Sequence, residues 1–251
     1  MSLDVRLRTP FAPKLDLPPG FRPVSLREIG DAFAHAQSIA AEEGAGTLVW
    51  VGRFDVVEFA VVLEPDEPLA EARRAFYAGM AALVDALAVH APPEKPISVD
   101  WPDAVRVDGG LVGGGRLAWP KGAREDRAAP WLVFGAMIRT VEMTERKPGL
   151  RPLGAALEEE GFHDLGSGQV VESFARHLLV LTDAWQEAGF RSIAESYLSR
   201  IAAERGVERS IDRAGDLLVR RAGERDIGKR RLLPALAVPS WLDPQTGAPR
   251  A

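Results

Sequence analysis

The chain has 251 residues, enough to bury a substantial core in one large domain or in a large domain with a small appendage. Apolar residues make up 46% and charged residues 27%, ordinary globular usage that argues against wholesale disorder; no run approaches the roughly 18 apolar residues of a membrane span. A formal net charge of −5 disfavours nucleic acid as a partner, and the absence of cysteine excludes a disulfide framework, a thiolate nucleophile and a thiolate-held metal.

Residues 1–24 are Pro-rich and read as an extended arm with Leu17 and Phe21 as apolar anchors. They lack the continuous apolar stretch of a secretory signal, so a cytoplasmic location is expected. Ser25-Leu26-Arg27-Glu28 has capping-box spacing. It predicts a helix to about Glu43, with Ile29, Phe33, Ala36 and Ala40 along one face, stopped at Gly44-Ala45-Gly46. Two β-branched and aromatic runs, Thr47 to Val51 and Val56 to Leu63, flank Gly52-Arg53-Phe54-Asp55 and predict a hairpin. Apolar residues from Leu69 through Phe76, Met80, Leu83 and Leu87 predict one long amphipathic helix to about Val89, ended by Ala91-Pro92-Pro93.

The next stretch, Ser98 to Trp119, carries the sharpest pattern. A strand at Ile97 and Val99 is interrupted by Trp101-Pro102-Asp103. Val105-Arg106-Val107 then alternates into Asp108-Gly109, a strong hairpin signal, and a return strand follows that holds Gly113-Gly114-Gly115. A polar loop (120–129) leads to a further strand, Trp131 to Val141. Pro148 and Pro152 bound a linker, and Leu153 to Glu160 suits a short helix. Ser167 caps a helix over Gln169 to Glu187, with His177 on its apolar face, and a second helix runs from Ser192 to Glu204. Short strands are expected at Asp216 to Arg220 and at Arg231 to Pro234, followed by a tail punctuated by Pro239, Pro244 and Pro249. The class is α+β: a mostly antiparallel mixed sheet flanked by helices, with a small β-rich C-terminal domain. Its divisions are an arm (1–24), a main domain (25–204) and a C-terminal domain (205–251).

At Trp101-Pro102-Asp103, Val105 to Gly109 and Leu111 to Gly114, the chain resembles the biotin/lipoate protein ligases. In that family a Lys-Trp-Pro-Asn-Asp turn precedes the same succession of strands. Phe134-Gly135-Ala136-Met137-Ile138 resembles the family's Gly-x-Gly-Ile-Asn strand, and Glu195 to Arg200 looks like the helix that closes the ligase domain. The order of elements agrees over roughly residues 20–204. The resemblance implies a site that binds biotin or a lipoyl/octanoyl-type acid against the sheet, activates it with ATP and Mg²⁺, and passes the acyl group to a lysine of a carrier-domain protein. On the matching positions the ligand-binding candidates are Arg53, Trp101, Pro102, Asp103, Gly113, Gly114, Gly115, Gly135 and Arg139.

The departures are specific. Asp100 stands where the family has the lysine before the tryptophan, and Asp103-Ala104 replaces Asn-Asp. Leu111 occupies the position of the essential lysine, Gly52-Arg53-Phe54-Asp55 is all that remains of a Gly/Arg-rich loop, and Arg139 replaces an asparagine. A lost cation opposite a developing negative charge costs on the order of a few kcal/mol. The departures therefore argue against ordinary ATP-dependent ligation and leave the catalytic residues unassigned. Two readings stay open: a ligase or acyltransferase relative that binds such an acid or its activated ester, and a non-catalytic interaction module.

Each candidate has a plainer reading. The three glycines equally suit a bulge, Trp101 a core aromatic, and Arg53 and Arg139 ion pairs. No Gly-Lys-Ser/Thr follows the glycines, which excludes a P-loop. His35, His90, His163 and His177 lack metal-ligand spacing, so no metal site is expected. Between Arg205 and Arg231, nine Lys/Arg are interspersed with five Asp/Glu, the pattern of a solvated, ion-paired surface. An exposed sheet edge would allow a homodimer.

Overall fold

The computed structural model describes residues 14–28, 30–143 and 154–250. The arm through residue 13, Ile29, the Pro148–Pro152 linker and Leu153 lie outside them. The described elements run β1 (Arg22–Leu26), α1 (Ala32–Glu43), β2 (Thr47–Val51), β3 (Val56–Leu63), α2 (Leu69–Ala72), α3 (Ala75–Ala88), β4 (Ile97–Asp100), β5 (Ala104–Val107), β6 (Gly110–Ala118), β7 (Leu132–Arg139), α4 (Ser167–Ala188), α5 (Phe190–Leu198), β8 (Val207–Ile211), β9 (Leu217–Arg221), β10 (Ile227–Arg230) and α6 (Leu232–Leu236).

Seven strands form one sheet in the order β1-β2-β3-β7-β6-β5-β4, antiparallel throughout except for β1 against β2. This is the mixed, mostly antiparallel sheet the sequence predicts. Asp108 and Gly109 both take positive φ and close β5 onto β6, as a two-residue hairpin turn requires.

Alternation along the strands gives the sheet two different faces. On one, Trp50, Phe59, Phe134 and Ile138 meet α3, α4 and α5 in the main core, with Phe134 stacked on Phe174. On the other, Ala32, Ala36 and Ala40 let α1 lie close over Val49, Ala60, Val62 and Val133. That second face continues past α1 to Val56, Ala104, Leu111 and Met137, where Trp241 covers it.

Several local expectations change for tertiary reasons. Ser25 begins no helix. It lies in β1, where its hydroxyl accepts the Trp50 indole N–H at 2.8 Å, and α1 starts seven residues later behind Asp31, whose carboxylate accepts the Ala34 N–H. The long helix after Leu69 breaks into α2 and α3 at Arg73 and Arg74, buried guanidiniums tied to Glu125 and to Glu67 and Glu71. α3 is buried on nearly every side rather than along one stripe, because α4 and α5 cover what the sheet does not. Residues 154–160 form turns instead of a helix, and the last main-domain helix runs Phe190–Leu198 rather than from Ser192 to Glu204. Arg231 to Pro234 is no strand. It opens α6, whose first turn tolerates Pro234 because the N–H groups there have no helical partner anyway.

β8, β9 and β10 make a separate three-stranded antiparallel sheet. Tyr77 ties it to the main domain by donating its hydroxyl to the Gly215 carbonyl at 2.6 Å. Beyond α6 the chain returns across the main sheet.

Candidate functional site

The second face of the sheet, between the start of α1 and β5, brings together four of the nine residues singled out in the sequence: Asp103, Gly114, Gly135 and Arg139. Register places Glu58, Met137, Gly114 and Ala104 in one row across β3, β7, β6 and β5, with Ala60, Gly135 and Arg116 in the next. Gly114 and Gly135 are points of close approach, and each is filled from within the chain. A β-carbon at 114 would stand 2.4 Å from the Trp241 indole; one at 135 would stand 2.4 Å from the Phe33 ring. Gly113 is the bulge of the plainer reading: the β5–β6 register shifts beside it, and a β-carbon there would meet the Met137 carbonyl. Gly115 faces the opposite layer, against Met80 and Phe134.

Asp103 lies at one end of this floor and is almost fully buried. Its carboxylate accepts the Ser240 hydroxyl at 2.6 Å and the Ser240 N–H at 2.8 Å. Burial pushes its pKa up, and the Ser240 hydrogen bonds oppose that rise. Arg139 lies at another end, in the last position of β7, and donates to the carbonyls of Pro249 and Arg250. Between these ends Trp241 is wholly buried, and its indole N–H donates to the Gly115 carbonyl at 2.9 Å. Leu111 is part of the same apolar cluster.

Towards α1 the floor becomes charged. Glu58 accepts the Ala32 N–H at the start of α1 at 2.8 Å; burial raises its pKa against that hydrogen bond. The Arg116 guanidinium lies 4.1 Å from the centre of the Phe33 ring and reaches Asp31 at 3.4 Å, and burial draws its pKa down.

Arg53, Trp101 and Pro102 do not join this cluster. Arg53 is held by Asp55 through two hydrogen bonds of 3.0 and 2.6 Å, which lower the Asp55 pKa. Trp101 packs on the helix-covered side, its indole N–H donating to the Tyr77 hydroxyl at 3.1 Å. Pro102 belongs to the same support, because its carbonyl accepts the buried Tyr197 hydroxyl at 2.8 Å.

Sequence reasoning missed Ser240, Trp241, Glu58, Phe33 and Arg116 as parts of the site. Two of them carried a signal. Glu58 is the lone charge in an otherwise apolar strand, and Trp241 is the one aromatic in a Pro-punctuated tail. Nothing local marks Arg116 as a partner of Phe33; they meet because Phe33 of α1 lies over Gly135, the β7 partner of Arg116.

Residues 17–199 match the biotin/lipoate A/B protein ligase family. No curated protein sequence matches the chain significantly. Among solved structures, a biotin protein ligase-like protein of unknown function from Silicibacter sp. has 26% identity and a TM-score of 0.75, with 89% of this chain and 99% of that one aligned. The biotin protein ligase of Aquifex aeolicus aligns over 84% of this chain and 99% of its own, with 15% identity and a TM-score of 0.63. That of Leishmania major in complex with biotinyl-5-AMP aligns over 85% and 99%, with 13% identity and a TM-score of 0.53. At these two lower identities the likeness concerns the fold alone. The family match spans well over half of the chain: this chain belongs to the biotin/lipoate A/B protein ligase family.

Proposed function

We propose that the chain binds a biotin- or lipoyl/octanoyl-type acid, or its activated ester, on the floor formed by Val56, Ala104, Leu111 and Met137, and that it does not carry out ordinary ATP-dependent ligation. The observation that carries the reading is the composition of that floor. It is an apolar surface with one approach glycine, an acceptor in Asp103 at one end and a donor in Arg139 at the other. An apolar body with a carboxylate fits such a surface, the body removed from water and the carboxylate paired with a guanidinium.

ATP and Mg²⁺ do not fit the residues present. Leu111 holds the lysine position and is packed in the apolar cluster, Arg53 is paired with Asp55, and Arg139 is engaged by tail carbonyls. The described residues contain no group of three or more His, Asp or Glu able to hold a metal ion. A triphosphate would need these cations released and a counter-ion supplied.

A second reading, a non-catalytic interaction module, is favoured by one observation: the chain's own tail lies on the floor.

Thermal shift with biotin, lipoate, octanoate, their acyl-adenylates and ATP–Mg²⁺ separates the two. A ligand at one hundred times its dissociation constant adds about 2.7 kcal/mol to stability. The expected outcome is a shift with an acid or acyl-adenylate and none with ATP–Mg²⁺. Silence across the whole panel favours the interaction module. Leu111→Lys is expected to leave ATP-dependent acyl transfer absent; activity restored by that change alone would overturn the proposed loss of ligation.

A further inference from the structure

Residues 239–250 form a strap closed on itself and docked on the site. Within it, the Asp243 N–H donates to the Ala248 carbonyl at 2.9 Å, the Gly247 N–H to the Asp243 carbonyl at 2.8 Å, and the Arg250 N–H to the Trp241 carbonyl at 2.7 Å. Leu242 and Pro249 pair across it. Three polar groups at the Trp241 end of the floor each meet a complementary strap group. Asp103 receives the Ser240 N–H and O–H, the Gly115 carbonyl receives the indole N–H, and Arg139 finds the carbonyls of Pro249 and Arg250. Trp241 fills the space that the missing side chain of Gly114 leaves. The tail therefore presents N–H and O–H donors, a flat ring and oxygen acceptors in the order in which the floor can receive them.

We propose that this strap is a tethered occupant of the acid site, so that a ligand enters only when the strap lifts and the ligand's own groups replace it. The proposal rests on the reading of the floor as an acid site. A tethered occupant lowers the apparent affinity of any competing ligand by the fraction of molecules in which the site is open. A strap closed in about 99% of molecules would weaken binding about a hundredfold. The ligand best able to displace it supplies replacements at all three polar points: N–H donors for Asp103 and the Gly115 carbonyl, and an acceptor for Arg139. A ring that carries N–H donors and a carboxylate meets all three; a plain acyl chain meets only the last.

The test uses the full chain, Trp241→Ala and Ser240→Ala, each checked for folding by circular dichroism, with biotin and octanoate as probes in calorimetric titration. A fluorescein-labelled peptide of residues 239–250 is the third probe, read by anisotropy. Trp241→Ala is expected to bind biotin at least tenfold more tightly than wild type, and octanoate with a smaller gain. In wild type, added biotin is expected to speed hydrogen exchange at the Ser240 and Arg250 amides. If Trp241→Ala does not fold, Ser240→Ala carries the test with an expected gain of about threefold to tenfold, the equivalent of one hydrogen bond. Equal binding of the acids by wild type and variants overturns the strap and leaves the acid site standing. Binding of the peptide to a folded variant, with neither acid bound, sustains the strap and overturns the acid reading. Binding of neither acid nor peptide by a folded variant overturns the strap proposal.

Discussion

Glu58 shows how one residue on this face can be read from its surroundings. It sits in the middle of an apolar strand, nearly without solvent contact, with the start of α1 above it and Asp31, Arg53 and Arg116 as its charged neighbours. Burial raises its pKa more than the Ala32 N–H and the arginines lower it. A carboxyl group with a folded pKa above its unfolded value contributes stability that is fully present below the unfolded value and lost as pH rises through the folded one. Glu58→Gln keeps an oxygen for the Ala32 N–H and removes the charge. The variant is expected to melt at a higher temperature than wild type at pH 7, with the difference closing as pH falls below about 4, where the carboxyl becomes protonated in both states. A variant that melts lower at pH 7 would show that the start of α1 and Arg116 favour the carboxylate over its burial cost. The strand's apolar pattern made the burial of this residue legible in the sequence. The helix end it meets was not legible, because the local signal for that helix lay at Ser25.

At the scale of elements, what the sequence expressed well was pairing between neighbours. The β2–β3 hairpin, the Asp108–Gly109 turn, β7 and α4 all follow from short-range turn chemistry and from periodicity. What it expressed poorly was any element whose identity depends on a distant partner. Ser25 has the spacing of a cap, yet β1 wins because its backbone pairs with β2 and its hydroxyl takes the Trp50 indole N–H. β8 and β10 are rich in charge and largely exposed, so their alternation is weak and only their pairing with β9 defines them. The seating of α1 has a direct test at Gly135. Gly135→Ala would drive a methyl group into the Phe33 ring and lift the start of α1 away from Glu58 and Arg116. Overpacking of this kind is expected to cost about 1–3 kcal/mol, read from the shift in the urea midpoint. A midpoint equal to that of wild type would mean that α1 is free to move outward.

Across the whole molecule, the three-stranded sheet shares its core with the main domain. Leu232 and Leu236 of α6 lie in the same apolar cluster as Tyr77 and Tyr197, and Arg213 reaches Glu71 at 2.9 Å. The Tyr77 hydroxyl sits at the junction, donating to Gly215 and accepting from Trp101. We therefore expect a single calorimetric transition for the full chain, with Tyr77→Phe lowering its stability by about 1–3 kcal/mol, since the buried Gly215 carbonyl and the half-buried Trp101 indole lose their hydrogen bond. Two separate transitions would show that the C-terminal sheet unfolds on its own. The sequence suggested a small β-rich appendage. It could not suggest that the appendage would send its last residues back over the site, because that contact links Ser240 to Asp103 across more than half of the chain.

The shared cluster of Leu111 and Trp241 also bears on how a lysine could be accommodated at position 111. With the indole docked, an ammonium at 111 would be buried against an aromatic wall and lose its water. With the tail released first, the leucine and its neighbours would lie bare to solvent. Leu111 and Trp241 are in one cluster, so substitutions at the two positions are expected to couple rather than add.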